Sequence, residues 1–249
     1  LGEVVRPEEE EVTVKVLSNF EDQPLAETVY LHLFGPPKIG KTSMVLDLVE
    51  KHRDIVLMLS TDRGWRLRVR QNPSAFSKRL YVADVDSLTD IREGLKIMRM
   101  KAEKGIRQIH PSRVWVVMDT ITHAQTKLME EARKISIKNP RADENREEFV
   151  RDATTEVDWG VNLGHMGEIA NALVGMPCNI IAVSLEKEQS VNRKKTGTMV
   201  PAISGQSFTR FMGDADAVLQ VDRGDTKNDR VLIPYVDGDL TGDRSGMLD

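Results

Sequence analysis

The stretch Gly-Pro-Pro-Lys-Ile-Gly-Lys-Thr, residues 35–42, constrains this chain more than any other. It fits the pattern G-x-x-x-x-G-K-[ST]. Its flanks make the pattern informative. The apolar run Val29–Phe34 precedes it, and Thr42–Lys51 follows with Met44, Val45, Leu48 and Val49 at helical spacing. Strand, glycine loop, helix is the context in which backbone N–H groups and a helix N-terminus converge on phosphate oxygens. Gly35, Pro36, Pro37, Lys38, Ile39, Gly40, Lys41, Thr42 and Ser43 are therefore the expected nucleotide-binding residues. Gly40 permits backbone geometry that a β-carbon would obstruct. Lys41 would reach the β and γ phosphates, and the Thr42 hydroxyl would ligate Mg²⁺. Pro36 and Pro37 remove two N–H donors early in the loop and stiffen its approach. The plain alternative is a glycine turn before a helix that carries a surface lysine.

The remaining pattern alternates strands with helices. Short apolar runs at Asp54–Thr61, Arg79–Val85, Arg113–Asp119 and Cys178–Leu185 read as strands, those most continuous being buried on both faces. Helices are expected after Ser87, where Ser87 and Asp90 have capping-box spacing, from Asp119 to about Lys134, and over Val161–Gly175. Lys138–Glu156 reads as a loop, Glu186–Gly205 as a long polar connection, and Asp216–Asp222 with Arg230–Val236 as a final antiparallel pair. The expected fold is α/β, a mostly parallel central sheet with helices on both faces and an antiparallel C-terminal extension. Residues 1–28 form an acidic segment with a short strand at Glu11–Leu17, and residues 29–249 form the core. Ligands of such sheets sit at the carboxyl ends of the strands. The loops after Phe34, Thr61, Met118 and Leu185 should share that edge.

Composition excludes several classes. No apolar run reaches the ~18–20 residues of a membrane helix, and the acidic first residues are unlike a secretory signal. The single cysteine, Cys178, allows no internal disulfide and fits a reducing cytoplasm, and the five histidines show no zinc spacing. The net charge is −4, yet Arg63–Arg79 contains no acid, and Asn192–Lys195 forms a second basic cluster. In the first segment Trp65, Leu67 and Val69 alternate with Arg66, Arg68 and Arg70, as in an extended strand with one cationic face. Trp65 could stack on a base or sit in the core.

Asp119 closes an apolar strand, where a second acid would hold Mg²⁺ beside Thr42; it could equally cap the following helix. Asp62 follows the next strand on the same edge and is a candidate to orient water, or a turn residue before Gly64. Glu186, at the end of the Cys178–Leu185 strand, competes for the water-orienting role.

The order of these pieces resembles the RecA-like ATPase core. It is most similar to the short RecA-like ATPases of bacteriophages, some of which act in single-strand annealing and recombination. The resemblance rests on residues 35–44, 60–67, 116–123, 158–173, 179–189, 201–221 and 241–248. It implies ATP and Mg²⁺ as ligands, and a catalytic set of Lys41, Asp62 as water activator, and Arg244. Thr241–Gly246 is similar to an element whose arginine reaches the γ-phosphate on a neighbouring subunit. Arg244 matches that arginine and Gly242 replaces a lysine. A homo-oligomer, ring or filament, is thereby implied. In relatives the loop after the fourth core strand binds single-stranded DNA; here it contains Arg193, Lys194 and Lys195. Relatives often end that strand with a His or Gln that senses the γ-phosphate, whereas this chain has Leu185. The implied setting is the cytoplasm of an infected bacterium, with other replication or recombination proteins as partners and no membrane. Two further readings remain open at this stage. One is a small-molecule or nucleotide kinase with a lid at 138–156, where Arg141, Arg146 and Arg151 lie among acids. The other is a non-hydrolysing nucleotide-dependent scaffold.

Overall fold

In strand β2 (Ile55–Ser60), Val56 and Met58 enter one apolar cluster and Leu57 and Leu59 enter another, because successive side chains of a strand point to opposite faces. All four are fully buried, so the sheet must be covered on both sides. The computed structural model describes residues 28–106, 110–137, 155–191, 194–225 and 229–235. In these residues, β1 (Tyr30–Gly35), β3 (Leu80–Asp84), β4 (Val114–Asp119), β5 (Asn179–Val191), β6 (Lys194–Pro201), β7 (Ala217–Arg223) and β8 (Arg230–Pro234) join β2 in one sheet. Its order is β3-β2-β4-β5-β1-β7-β8, with β6 paired to β5. The pairs from β3 across to β7 are parallel, and β5–β6 and β7–β8 are antiparallel.

Helices cover the two faces unequally. Helix α1 (Lys41–Glu50) buries Val45, Leu46 and Val49 against Leu33, Val56, Met58, Val117, Val183 and Leu219. The short helices α2 (Arg66–Gln71) and α3 (Pro73–Phe76) complete this side, with Phe76 in the same cluster. The opposite face carries α4 (Leu88–Ile106), α5 (Ile121–Ile137), α6 (Glu156–Val174) and α7 (Gln206–Gly213), which bury Ile91, Leu128, Ile169 and Phe211 among others. The capping box expected before α4 is formed: the Ser87 hydroxyl accepts from Asp90 N–H, and the Asp90 carboxylate accepts from Ser87 N–H.

Three expectations are corrected. Arg63–Arg79 is not an extended strand; it holds α2 and α3. Its arginines are held by acids of the same chain: Arg68 by Glu50 at 2.6 Å and by Asp47, Arg66 by Asp84, and Arg63 near Asp84 and Asp86. The alternation of Arg with Leu and Val mimics a strand, but these ion pairs to α1 and β3 reward a helical turn there. Glu186–Gly205 is not a long connection, because β5 continues to Val191 and returns as β6, a hairpin standing beyond the sheet edge. Helix α6 begins at Glu156, five residues before Val161, where Thr155 and Asp158 form a reciprocal cap. The Glu11–Leu17 strand, most of the 138–156 segment with Arg141, Arg146 and Arg151, and the Thr241–Gly246 element lie outside the described residues.

Candidate functional site

Register decides which side chains meet at the carboxyl edge. Strand β5 lies between β1 and β4, pairing Leu33 with Val183 and Val183 with Asp119. Leu33 and Val183 face α1, and period-two alternation from Val117 puts Asp119 on that face as well. Thr42, in the first turn of α1, lies over it. The Thr42 hydroxyl donates to Asp119 Oδ2 at 2.7 Å. Asp119 is fully buried, and its other oxygen, Oδ1, has no hydrogen-bond partner among the described residues. Burial, first of all, pushes its carboxyl up to about 6, with the Asp62 charge adding and the Thr42 hydrogen bond and Lys41 opposing.

The loop between β1 and α1 is tightly set. Gly40 caps the helix with φ 110°, in the left-handed region that glycine tolerates. A β-carbon on Gly35 would come within 2.5 Å of the Val221 carbonyl oxygen on β7. The Lys41 ammonium turns back on the loop and donates to the carbonyls of Gly35 (2.7 Å) and Pro36 (2.8 Å). Burial lowers its pKa, against the pull of Asp119, Glu186 and Asp62. Ile39 is core, its side chain packed with Val45 and Val221, so this residue can offer a ligand only its backbone.

These groups line a cavity of about 360 Å³, with Pro37, Lys38, Lys41, Thr42 and Ser43 on one side and Asp62, Gly64, Asp119, Thr120, His123 and Leu185 on the other. The loops after β1, β2 and β4 thus share one edge, and β5 contributes Leu185 from within the strand, which runs on to Val191. Asp62 lies in the wall, and its Oδ1 accepts from Gly64 N–H at 2.9 Å. Both of its expected roles are therefore geometrically available. Glu186 is outside the cavity wall; its carboxylate accepts from Gln220 at 3.3 Å. Ser184, next to Leu185, is buried and bonded to His32 at 2.9 Å, so it does not face the cavity as a polar group.

The predicted DNA-contacting residues are apart from this edge, on the hairpin. Lys194 and Lys195 are exposed on β6, and Arg193 lies outside the described residues. The charge is less free than the sequence suggests, because Lys195 pairs with Glu188 across the hairpin at 2.7 Å. Arg244 also lies outside the described residues.

Sequence reasoning missed Arg230. This first residue of β8 donates its Nε–H to the Ile39 carbonyl and lies against Gly40. Nothing in the local pattern marks it; only the antiparallel return of β8 along β7 brings it to the loop. His123 was also missed as a wall residue, although it sits four positions after Asp119.

Asp119 and Thr42, side by side in the cavity, offer a carboxylate and a hydroxyl to a cation. Among the described residues no group of three or more His, Cys, Asp or Glu could hold a metal. That set fits Mg²⁺, which takes one or two protein ligands and completes its shell with phosphate and water oxygens. The orphaned Oδ1 of Asp119 is the acceptor such an ion would satisfy.

A protein-family model described as AAA domain, AAA_24, matches residues 28–237. No curated protein matches the sequence. Among solved structures, the RadB recombinase aligns over 82% of this chain and 79% of its own, at 16% identity and a TM-score of 0.44. A KaiC-like protein from the hyperthermophilic archaeon Pyrococcus horikoshii OT3 aligns over 82% and 77%, at 13% identity and a TM-score of 0.43. No helix among the described residues is long and apolar enough to cross a membrane.

Proposed function

The chain belongs to the AAA domain family AAA_24, and from that premise we propose that it binds Mg–ATP at the sheet edge, hydrolyses it, and acts on single-stranded DNA. The mostly parallel sheet with a glycine loop between β1 and α1 supports a nucleotide-binding P-loop domain of the RecA-like kind that the sequence resembles. One observation carries the reading. Lys41 and Thr42 from α1 and a buried acid with an unsatisfied oxygen from β4 enclose a single cavity.

In this reading the Lys41 ammonium exchanges two loop carbonyls for phosphate oxygens. That exchanges neutral acceptors for charged ones, so each hydrogen bond from the ammonium gains the attraction of opposite charges. Thr42 and Asp119 would hold a magnesium ion, which would supply positive charge against the phosphates. Asp62, in the wall, orients the attacking water. Arg244 supplies charge to a neighbour's γ-phosphate, so the working form is a homo-oligomer. Such an arginine contributes ~10³–10⁵ in rate. Lys194, Lys195 and Arg193 follow a single-stranded DNA backbone along the hairpin. Recombination or replication in phage-infected bacterial cytoplasm is the setting that the sequence resemblance supports.

The test is ATP turnover with and without single-stranded DNA, across salt concentrations. Expected is magnesium-dependent phosphate release, raised by DNA, with a stimulation that fades as salt increases. Phosphate transfer to a small acceptor, indifferent to DNA, would replace this reading with the kinase one.

A further inference from the structure

Helix α5 opens directly after Asp119, and its first turns touch three places at once. His123 lines the nucleotide cavity beside Leu185. Its backbone N–H is held by the Thr120 hydroxyl at 3.2 Å, while its half-buried ring makes no hydrogen bond among the described residues. The neighbouring Thr122 hydroxyl accepts the N–H of Leu185, at 3.0 Å, where β5 leaves the sheet for the hairpin. One turn on, the buried amide of Gln125 grips Ser204, just beyond the hairpin, through both backbone groups: Ser204 N–H to Oε1 at 2.9 Å and Nε2 to Ser204 O at 3.1 Å. Lys187 closes the hairpin base by donating to the Ile203 carbonyl at 2.7 Å.

Leu185 can offer no side-chain hydrogen bond to a phosphate, and Ser184 is committed to His32. In the proposed reading Lys41 spans the β and γ phosphates from the loop side, and Thr42 and Asp119 hold the cation. Across the cavity from the loop residues Lys38 and Ser43, the His123 ring lies beside Leu185 with an N–H to give. We infer that His123 reads the terminal phosphate of the nucleotide, and that α5 carries this contact through Thr122 and Gln125 to both ends of the β5–β6 hairpin. The inference rests on the nucleotide reading above and deepens it. A phosphate pulling on His123 displaces a helical turn that cannot move without moving Leu185 and Ser204. The polar sensor absent from the strand end is thus supplied from the adjacent helix.

The experiment compares wild type, His123→Ala and His123→Gln for binding of ADP and of the slowly hydrolysed ATPγS. Each chain also carries Thr198→Cys with a fluorophore on the exposed part of β6; Cys178 is buried and does not compete for label. Wild type should show different reporter signals with the two nucleotides. In His123→Ala, ADP affinity should stay within about twofold, while ATPγS affinity drops about tenfold, as expected for one hydrogen bond to a charged group. The signal difference should vanish. His123→Gln, which keeps an N–H donor, should recover part of both. A loss of affinity for both nucleotides alike would show a structural role and overturn the inference. So would an unchanged ATPγS-to-ADP ratio in His123→Ala. Wild-type protein that bound neither nucleotide would bring down the nucleotide reading itself, and this inference with it.

Discussion

The sheet edge and the β5–β6 hairpin both carry cations that the sequence marks as ligand-binding, yet they are built differently. At the edge, Lys41 is nearly buried and aimed by two carbonyls, and Asp119 is fully buried with one oxygen unsatisfied. On the hairpin, Lys194 and Lys195 are exposed, and Lys195 is engaged by Glu188. Desolvated charge in a fixed geometry interacts strongly with a ligand, whereas exposed charge is screened and shared with neighbours. The edge should therefore act through a few large effects and the hairpin through many small ones.

The largest expected effect is at Lys41. Lys41→Ala should lower ATP turnover by ~10³ or more, since it removes the ammonium from the phosphates, as read by phosphate release. Turnover near wild type would erase the contrast between the two regions.

Asp119→Asn should cost turnover about a hundredfold and yet stabilise the nucleotide-free chain. The folded carboxyl is raised to about 6, above the ~3.9 of an unfolded Asp. Between those values the folded chain holds more protons than the unfolded one, so stability falls as pH rises through that window. At pH 7.5 the asparagine variant should gain ~3 kcal/mol, from about two pKa units of relief. The gain should shrink towards pH 4. Denaturant melts at the two pH values check this, and a variant less stable at both would contradict the burial argument.

Arg230→Ala comes next. Loss of the guanidinium from the Ile39 carbonyl should loosen the phosphate loop and weaken ADP binding about fivefold, on the scale of one net hydrogen bond, measured by calorimetry.

The smallest effects are on the hairpin, and they have opposite signs. Replacing Lys194 and Lys195 by Ala should reduce the salt slope of single-stranded DNA binding by roughly 1.4, about 0.7 per phosphate contact. Glu188→Gln should release Lys195 and tighten DNA binding slightly, by about twofold. Unchanged slopes in both variants would remove DNA from this surface.

The legibility of these regions follows from how local their causes are. The strand–loop–helix around Lys41 and the cap of α4 at Ser87 and Asp90 depend on neighbours within a few residues, and both stand as expected. The antiparallel pairing of β7 with β8 was readable for the same reason. Arg63–Arg79 was misread because its helices are secured by Asp47, Glu50 and Asp84, which sit elsewhere in the chain. The hairpin was missed because its polar strands leave the core and carry no apolar alternation.

Sequence alone determined the α/β class, the two-sided burial of the central strands and the strand–glycine loop–helix unit around Lys41. Each is written in periodicity and in residue types at fixed spacing, and these act over a turn or a strand. Only the tertiary structure decided that β5 separates β1 from β4, that Asp119 faces Thr42, that Arg230 reaches the loop before α1, and that His123 lines the cavity. Those outcomes depend on strand order and register, which are set by packing between residues far apart in the chain.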